Sequence, residues 1–114
     1  MYRVVKIFKK QNDSDVWLTP SPIYGNLAYF SEEEKSNEMA DFVNLTFNST
    51  GVSNVDVKYT STNEMTMTYE VDTLENFNNY ENAIMNHPFS MLRNRKLREY
   101  NIPQYLIFRN ITEV

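Results

Sequence analysis

The 114-residue chain contains no cysteine, only two glycines and a single histidine. Without cysteine it can form no disulfide, thiolate metal site or iron–sulfur cluster, and this composition is typical of intracellular proteins. A phosphate-binding loop needs clustered glycines, and a catalytic triad or a multi-histidine metal site needs partners that these counts cannot supply. Most familiar enzyme signatures are therefore absent.

The chain is also short of positive charge and of long apolar runs. Its 11 basic and 15 acidic residues give a net charge of −4, which argues against a dedicated nucleic-acid or anionic-membrane binder. No apolar run approaches the ~20 residues that span a bilayer, and residues 1–10 lack the apolar core of a signal peptide. Abundant asparagine, with its A-rich codons, favours an AT-rich genome such as some phages have. We expect one cytoplasmic domain over residues 1–114.

Hydrophobic periodicity predicts four strands and three helices. The strands are residues 2–8, 54–59, 64–71 and 105–108, and residues 16–18 are a candidate for a further short strand. A capping box of Ser31 and Glu34 begins the first helix, and the other two helices begin near residues 74 and 88. The apolar stripe predicted for the first helix consists of Met39, Ala40, Val43 and Phe47, with Phe42 beside it.

The two middle strands predict a hairpin whose register follows from their apolar residues. Those residues are all odd-numbered, so paired residue numbers must add to an even total. Pairing Thr60 with Glu64 meets this condition and leaves a three-residue loop, with Asn63 in the left-handed position. The residues expected on the helix-covered face are Val57, Met67 and Tyr69.

The order of these elements is the β-α-β-β-α-β pattern of ferredoxin-like α+β domains, with an antiparallel sheet, helices on one face and an irregular insertion after the first strand. The first and last strands are apolar on both alternating sets, whereas the second set of the hairpin is polar. Half of the face opposite the helices is thus apolar, which is typical of an interface or a ligand cleft. We expect a homodimer through this face, unless residues 16–30 fold across it.

The passage from hairpin to helix resembles a known family. Residues 67–80, MTYEVDTLENFNNY, with Asn86-His87-Pro88 after them, are similar to that passage in dimeric α+β barrel proteins, which include the antibiotic-biosynthesis monooxygenases. The resemblance covers about a third of the chain and implies a homodimer packed sheet on sheet, with a pocket between each sheet and its helices. The heme-degrading branch pairs an asparagine, a tryptophan just ahead of the second helix and a histidine on it. Here Trp17 lies far earlier and His87 falls at a helix break, so we expect no cofactor.

Four residues are ligand-binding candidates: Trp17, Tyr24, Tyr29 and His87. The first three belong to an unusually aromatic insertion, which suits a lid or recognition loop and equally suits core padding. Histidine exchanges protons near neutral pH, so His87 could act as an acid, a base or a heme ligand. The sequence places no second ligand or orienting carboxylate beside it, which favours a capping role before Pro88.

Two charged clusters are attributed to helix chemistry. The consecutive carboxylates Glu32–Glu34 point in different directions and suit a helix start, so no metal site is expected. Four cations lie within six residues, but Arg95 and Arg98 share one side of a helix while Arg93 and Lys96 share another. This division favours a solvated helix, so no nucleic-acid site is expected.

Two functions from different classes fit the sequence. The first is a small non-enzymatic homodimer that binds a small aromatic ligand or a protein partner, because no catalytic set converges. The alternative is a cofactor-independent monooxygenase or isomerase of the dimeric α+β barrel type, in which pocket shape and a few polar groups act on a small aromatic substrate. A retained aromatic molecule or heme would favour the enzyme.

Overall fold

The computed structural model describes residues 1–12, 17–20 and 27–114, which form an α+β structure with a four-stranded antiparallel sheet. This confirms the predicted class and sheet type. Along the chain the elements are β1 (Tyr2–Lys10), a 3-10 turn (Leu27–Tyr29), α1 (Glu32–Glu34), a π-helical segment (Lys35–Met39), α2 (Ala40–Phe47), β2 (Val52–Tyr59), β3 (Glu64–Val71), α3 (Leu74–Met85), α4 (Pro88–Glu99) and β4 (Gln104–Glu113). The strand order in the sheet is β2-β3-β1-β4.

The predicted capping box begins the first helix. Ser31 Oγ accepts a hydrogen bond from the Glu34 N–H at 3.1 Å, and Glu34 Oε1 accepts one from the Ser31 N–H at 2.8 Å. These two bonds satisfy donors that a helix start otherwise leaves unpaired, so the helix begins where the local sequence predicts. None of the helices in the described part of the chain is long and apolar enough to cross a membrane.

The stripe predicted for this helix is wrong at two positions. Met39, Phe42 and Thr46 are buried, whereas Ala40 and Phe47 are exposed. The π-helical segment Lys35–Met39 precedes α2 and rotates it relative to the helix start. The inward face of α2 therefore cannot be extrapolated from the capping box.

The hairpin of β2 and β3 has the predicted register. Tyr59 pairs with Met65, and the Thr60 N–H donates to the Glu64 carbonyl at 3.1 Å. Asn63, however, does not adopt the predicted left-handed conformation, since the described non-glycine residues with positive φ are Asn54 and Asn101. The predicted pairing at the end of the hairpin is confirmed, and the predicted conformation of its loop is wrong.

A bulge near the start of β2 shifts the register by one residue. The shift falls between Ser53 and Asp56, where Asn54 has a φ of 52°. Because the bulge adds one residue to β2, Val52 and Val55 both pack against the core although their numbers differ in parity.

The core consists of two clusters on the same side of the sheet. The sheet cluster, where β1 and β3 meet α3, contains Val4, Met67, Tyr69, Val71 and Tyr80. The helical cluster, where α2 and α4 meet the insertion, contains Leu18, Phe30, Met39, Phe42, Phe89, Leu92 and Ile102. The described part of the insertion thus packs on the helix side, and Trp17 forms a single β-bridge rather than a strand. Val16, the first residue of the predicted short strand, lies outside the described residues.

Gly51 makes the turn between α2 and β2. Its φ of 76° belongs to the left-handed region that favours glycine, and a Cβ at this position would collide with the Asp72 carboxylate. The Asp72 N–H also donates to the Gly51 carbonyl at 3.0 Å. The glycine therefore fixes where the chain leaves the helix and enters the sheet.

The last strand is longer than the sequence predicts. The sequence predicts a strand over residues 105–108, whereas β4 extends over Gln104–Glu113 and pairs with β1 along its length. Residues 109–113 are mostly polar, so their strand conformation depends on backbone pairing with β1 rather than on a hydrophobic pattern. A register shift between Ile7 and Phe8 leaves Ile107 as the extra residue of β4.

Candidate functional site

An apolar cleft of about 470 Å³ lies between the helix-facing side of the sheet and α2. Met65 and Met67 line it on the sheet side, and Phe42 lines it on the helix side. Val57 and Phe47 also line it and are 37% and 51% exposed, so the cleft opens to solvent beside them. This volume lies within the range of about 300–1,000 Å³ that small-molecule sites occupy.

The strand pattern explains the sheet wall of the cleft. The odd-numbered apolar residues of β2 and β3 share one face, which places Val57, Met65 and Met67 together as the sequence predicts. Met67 belongs to the sheet cluster and Phe42 to the helical cluster, so the cleft lies where the two clusters face each other.

A buried ion-pair network borders the cleft. Lys6, a lining residue, donates from Nζ to Glu81 Oε2 at 3.1 Å, and the Tyr69 hydroxyl donates to the same oxygen at 2.9 Å. Arg109 donates to Glu81 Oε1 at 3.4 Å from a half-exposed position. Burial lowers the pKa of Lys6, an effect that Glu81 opposes, and burial and then Glu81 raise the pKa of Tyr69. Glu81 thus stabilises the charged form of Lys6 and offsets part of the cost of its burial.

A second cation, Arg93 of α4, lines the same cleft. It also lines a smaller adjoining cavity of about 150 Å³, here called the side cavity. Its Nε is buried and has no hydrogen-bond partner in residues 1–12, 17–20 and 27–114. Burial lowers the pKa of this guanidinium.

Trp17, the first of the predicted ligand-binding residues, lies at the side cavity. Its ring packs edge-to-face on Tyr59 with centroids 5.8 Å apart, and Lys10 Nζ lies 5.2 Å from its centroid. Tyr59 lines the cleft and shares a 2.8 Å hydrogen bond with Thr19. Tyr24 lies outside the described residues.

Tyr29 and His87 lie elsewhere and line neither cavity. Tyr29 packs edge-to-face on Tyr100 with centroids 4.8 Å apart. His87 is the N-cap of α4, and its Nδ1 accepts from the Phe89 N–H at 3.0 Å. Its Nε2 therefore carries the proton and donates to Asp41 at 2.7 Å, so both ring nitrogens are engaged. The structure thus shows the capping role and does not bring these two residues together with Trp17.

Lys6 and Glu81 are not among the residues predicted from the sequence, and the solvated position predicted for Arg93 is wrong, because this residue lines the cleft with its Nε buried. Lys6 alternates with Val4 and Phe8, so the pattern of β1 already places it on their face. Arg93 follows Phe89 by four residues, which places it on the buried side of α4. Neither signal identifies Glu81 as the partner of Lys6, because the two residues are 75 positions apart.

The cations of α4 divide between two sides, as predicted. Arg95 is exposed and lies 3.8 Å from Glu99. Lys96 instead lies 3.5 Å from Glu34 and over the ring of Phe30, on the inner side with Arg93. Among the residues that the structure describes, no group of three or more histidines and carboxylates is arranged to hold a metal ion.

The opposite face of the sheet carries the predicted apolar half on β1 and β4. Val5 and Ile7 of β1 are partly exposed, and Ile7 pairs with Phe108. Ile107 and Phe108 are 48% and 47% exposed, and Tyr105 is 47% exposed. In contrast, β3 presents polar residues on this face, including Thr66 and Thr68, which pair with Ile7 and Val5.

Comparison of the chain with protein-family models, with curated proteins and with solved structures found no match. What the cleft can bind therefore follows from its own geometry, lining and charge.

Proposed function

We propose that this protein binds a small, largely apolar molecule in the cleft between the sheet and α2. The observation that carries this proposal is the cleft itself, with its volume of about 470 Å³ and its wall of Phe42, Met65 and Met67. Protein interiors are normally close-packed, and apolar surface left in water costs about 25 cal/mol per Å². A small ligand that fills the cleft removes this cost, whereas closing it would require the two core clusters to repack.

The test uses a neutral fluorescent probe, N-phenyl-1-naphthylamine, whose emission rises in an apolar site. We expect the purified protein to bind it, and Val57→Trp to abolish binding by filling the mouth of the cleft. The matched control is Lys58→Trp, since Lys58 is the next residue of β2 and its side chain is 75% exposed. Equal binding by the parent and both variants would place the probe outside this cleft and contradict the proposal.

Oxygenase or isomerase chemistry of the dimeric α+β barrel type is the second candidate. It is favoured by one observation, the Lys6 amine, which lines the cleft and whose pKa is lowered by burial, so that more of the amine is in the unprotonated form that can act as a base. Liquid chromatography with mass spectrometry of compounds recovered after incubation with the protein distinguishes the two functions. An unchanged mass and retention time indicate binding alone. A changed mass, or an isomer of the same mass with a new retention time, that is lost in Lys6→Met indicates catalysis.

We further propose a ferredoxin-like arrangement and a homodimer through the face of the sheet opposite the helices. The chain order of strands and helices and the sheet order β2-β3-β1-β4 support the former. The exposed strip of Tyr105, Ile107 and Phe108 supports the latter, because an exposed contiguous apolar patch usually marks an interface. Among the described residues of the insertion, Leu18 and Phe30 pack on the helix side and do not cover this strip.

Light scattering after size-exclusion chromatography tests the dimer. We expect a mass near 27 kDa, twice the 13.5 kDa of the chain, at tens of micromolar protein. Phe108→Glu should yield the monomer, because it places a charge at the centre of the strip. Met91→Glu is the control, since Met91 is 58% exposed on α4, away from this face. A parent protein that elutes at 13.5 kDa would contradict the dimer and leave the ligand proposal intact.

A further inference from the structure

We propose that the ligand of the cleft is an apolar monocarboxylic acid and that the guanidinium of Arg93 binds its carboxylate. The inference rests on the proposed ligand site and adds the chemical class of the ligand. In this arrangement the apolar body of the acid lies along Phe42 and Met67, and the carboxylate lies where the cleft meets the side cavity.

The first support is that Arg93 has no ion-pair partner in the described part of the chain. Lys6, the other cation of the cleft, has its partner in Glu81, which also binds Arg109 and the Tyr69 hydroxyl. Arg93 takes part in none of the ion pairs among the described residues, and its Nε is buried there without an acceptor. A desolvated cation without a partner destabilises a fold, and a bound anion removes that cost.

The second support is the position of Arg93. It lines both the cleft and the side cavity, as do Phe8, Thr19 and Met65, so these residues mark the place where the two spaces meet. Arg93 therefore lies within the space that a molecule entering at the exposed Val57 would occupy. The apolar body of the ligand can lie in the cleft while its polar end contacts Arg93 at the junction with the side cavity.

The third support is the charge of the lining. The described lining of the cleft includes Lys6 and Arg93, and neither it nor the described lining of the side cavity includes an aspartate or a glutamate. The hydroxyls of Thr19 and Tyr59 already share a hydrogen bond with each other. Because the charge of Lys6 is balanced by Glu81, an anion that enters the cleft meets one cation without an ion-pair partner among the described residues, Arg93, in surroundings where low polarity strengthens the attraction.

A carboxylate suits this site better than a phosphate. A guanidinium presents parallel N–H groups that match the two oxygens of a carboxylate. A phosphate monoester carries more charge, which must lose more water to enter an apolar cleft. In the described lining of the cleft, Arg93 is the cation without an ion-pair partner among the described residues, and it balances one negative charge and not two.

The test compares decanoate with the matched neutral 1-decanol and the cationic decylamine. Each compound, kept below its micelle concentration at pH 7.5, displaces N-phenyl-1-naphthylamine from the parent protein. We expect decanoate to bind at least about tenfold more tightly than decanol, as hydrogen bonds between charged groups imply, and decylamine to bind most weakly. Arg93→Gln should remove the preference for decanoate and leave the affinity for decanol unchanged.

The matched control is Arg95→Gln, which removes an exposed cation of the same helix and should leave the preference intact. Arg93→Met, which removes the charge while retaining much of the length, is a second variant in case Arg93→Gln does not fold. The order of affinity of decanoate, decanol and decylamine for the parent protein tests the inference without any variant.

Each outcome bears on a different proposal. Equal affinities for decanoate and decanol, or a preference for decanoate that survives both Arg93 variants, would overturn the role of Arg93 while the cleft remains a ligand site. If the probe binds and decanoate fails to displace it, the role of Arg93 is likewise overturned and the cleft remains a ligand site. If the probe itself does not bind, the proposed function fails, and the inference fails with it.

Discussion

Replacement of Glu81 by leucine is expected to lower the free energy of unfolding by about 3–5 kcal/mol, the usual cost of removing one partner of a buried ion pair. In the parent structure Lys6 Nζ lies 3.1 Å from Glu81 Oε2, and both side chains are less than a tenth exposed. Domains of this kind are stable by about 5–15 kcal/mol, so the variant loses a large part of the total. Arg109 is half exposed and returns to water, so its share is small, at about 0–1 kcal/mol.

The upper limit of this loss of stability is set by the cost of deprotonating Lys6. Without Glu81, the buried amine can avoid an unpaired charge by releasing its proton in the folded state. At pH 7 this costs about 5 kcal/mol, since each pKa unit between pH 7 and the ordinary value of 10.5 is worth about 1.4 kcal/mol. The loss should therefore not exceed this value by much, even though the Tyr69 hydroxyl also loses its acceptor.

The same reasoning predicts how the loss depends on pH. In Glu81→Leu the folded state holds Lys6 neutral, while the unfolded chain keeps this proton up to its ordinary pKa of 10.5. The unfolded state then binds one more proton, so the stability of the variant rises with pH. Relative to the parent, the loss should shrink by up to about 1.4 kcal/mol per unit between about pH 7 and 9.5.

Urea unfolding followed by the fluorescence of Trp17 measures these differences, because this residue is the single tryptophan and is 5% exposed. The double variant Lys6→Met with Glu81→Leu should recover most of the loss, since it leaves no unpaired charge. The control is Glu99→Leu, which removes an exposed ion pair with Arg95 and should cost less than about 1 kcal/mol. A loss under about 1 kcal/mol in Glu81→Leu, or one that does not vary with pH, would refute the reasoning.

Three further predictions concern the turn, the helix cap and the outer cations. Gly51→Ala should lower the free energy of unfolding by at least about 1 kcal/mol in the same urea assay, because the left-handed backbone and the collision of the added methyl both oppose it; an unchanged midpoint would contradict this. The hydrogen bond from the Ser31 N–H holds the pKa of Glu34 below its ordinary 4.5, so its stabilisation is present above pH 4.5 and lost as pH falls through the lowered pKa. Glu34→Gln should flatten this acid dependence of the urea midpoint, and a parallel profile would count against it. Arg95→Glu with Arg98→Glu should leave fold and ligand binding intact, and micromolar nucleic-acid binding by the parent at ~0.15 M salt that this variant lacks would argue otherwise.

Interactions between residues close in sequence explain why parts of the fold can be predicted from the sequence. Ser31 and Glu34 satisfy each other's backbone donors within one turn, so the helix start needs no tertiary partner. The hairpin register depends on parity, because slipping by one residue would turn Met67 and Tyr69 away from the core. His87 caps α4 through its own Nδ1 for the same local reason.

Other features of the fold depend on what the chain packs against. The π-helical segment rotates α2, so Phe42 rather than Ala40 faces inward, and no short-range pattern reports that rotation. Residues 109–113 include one apolar residue, Ile111, and no apolar alternation, so no sequence pattern predicts the strand that they form by backbone pairing with β1. The exposed strip of Ile107 and Phe108, in contrast, follows from the two apolar sets that the sequence already shows.

The sequence by itself determined the order of the main strands and helices, the hairpin register, the helix caps and the apolar half of one sheet face, because each depends on residues within a turn or on a strand's alternation. Only the tertiary structure decided the cleft and its charges. Lys6, Glu81 and Arg93 come from β1, α3 and α4, and their proximity results from how the helices dock on the sheet. Which buried charge finds a partner, and which one stays unmatched, is a property of that docking, because burial and pairing exist only once the distant elements meet.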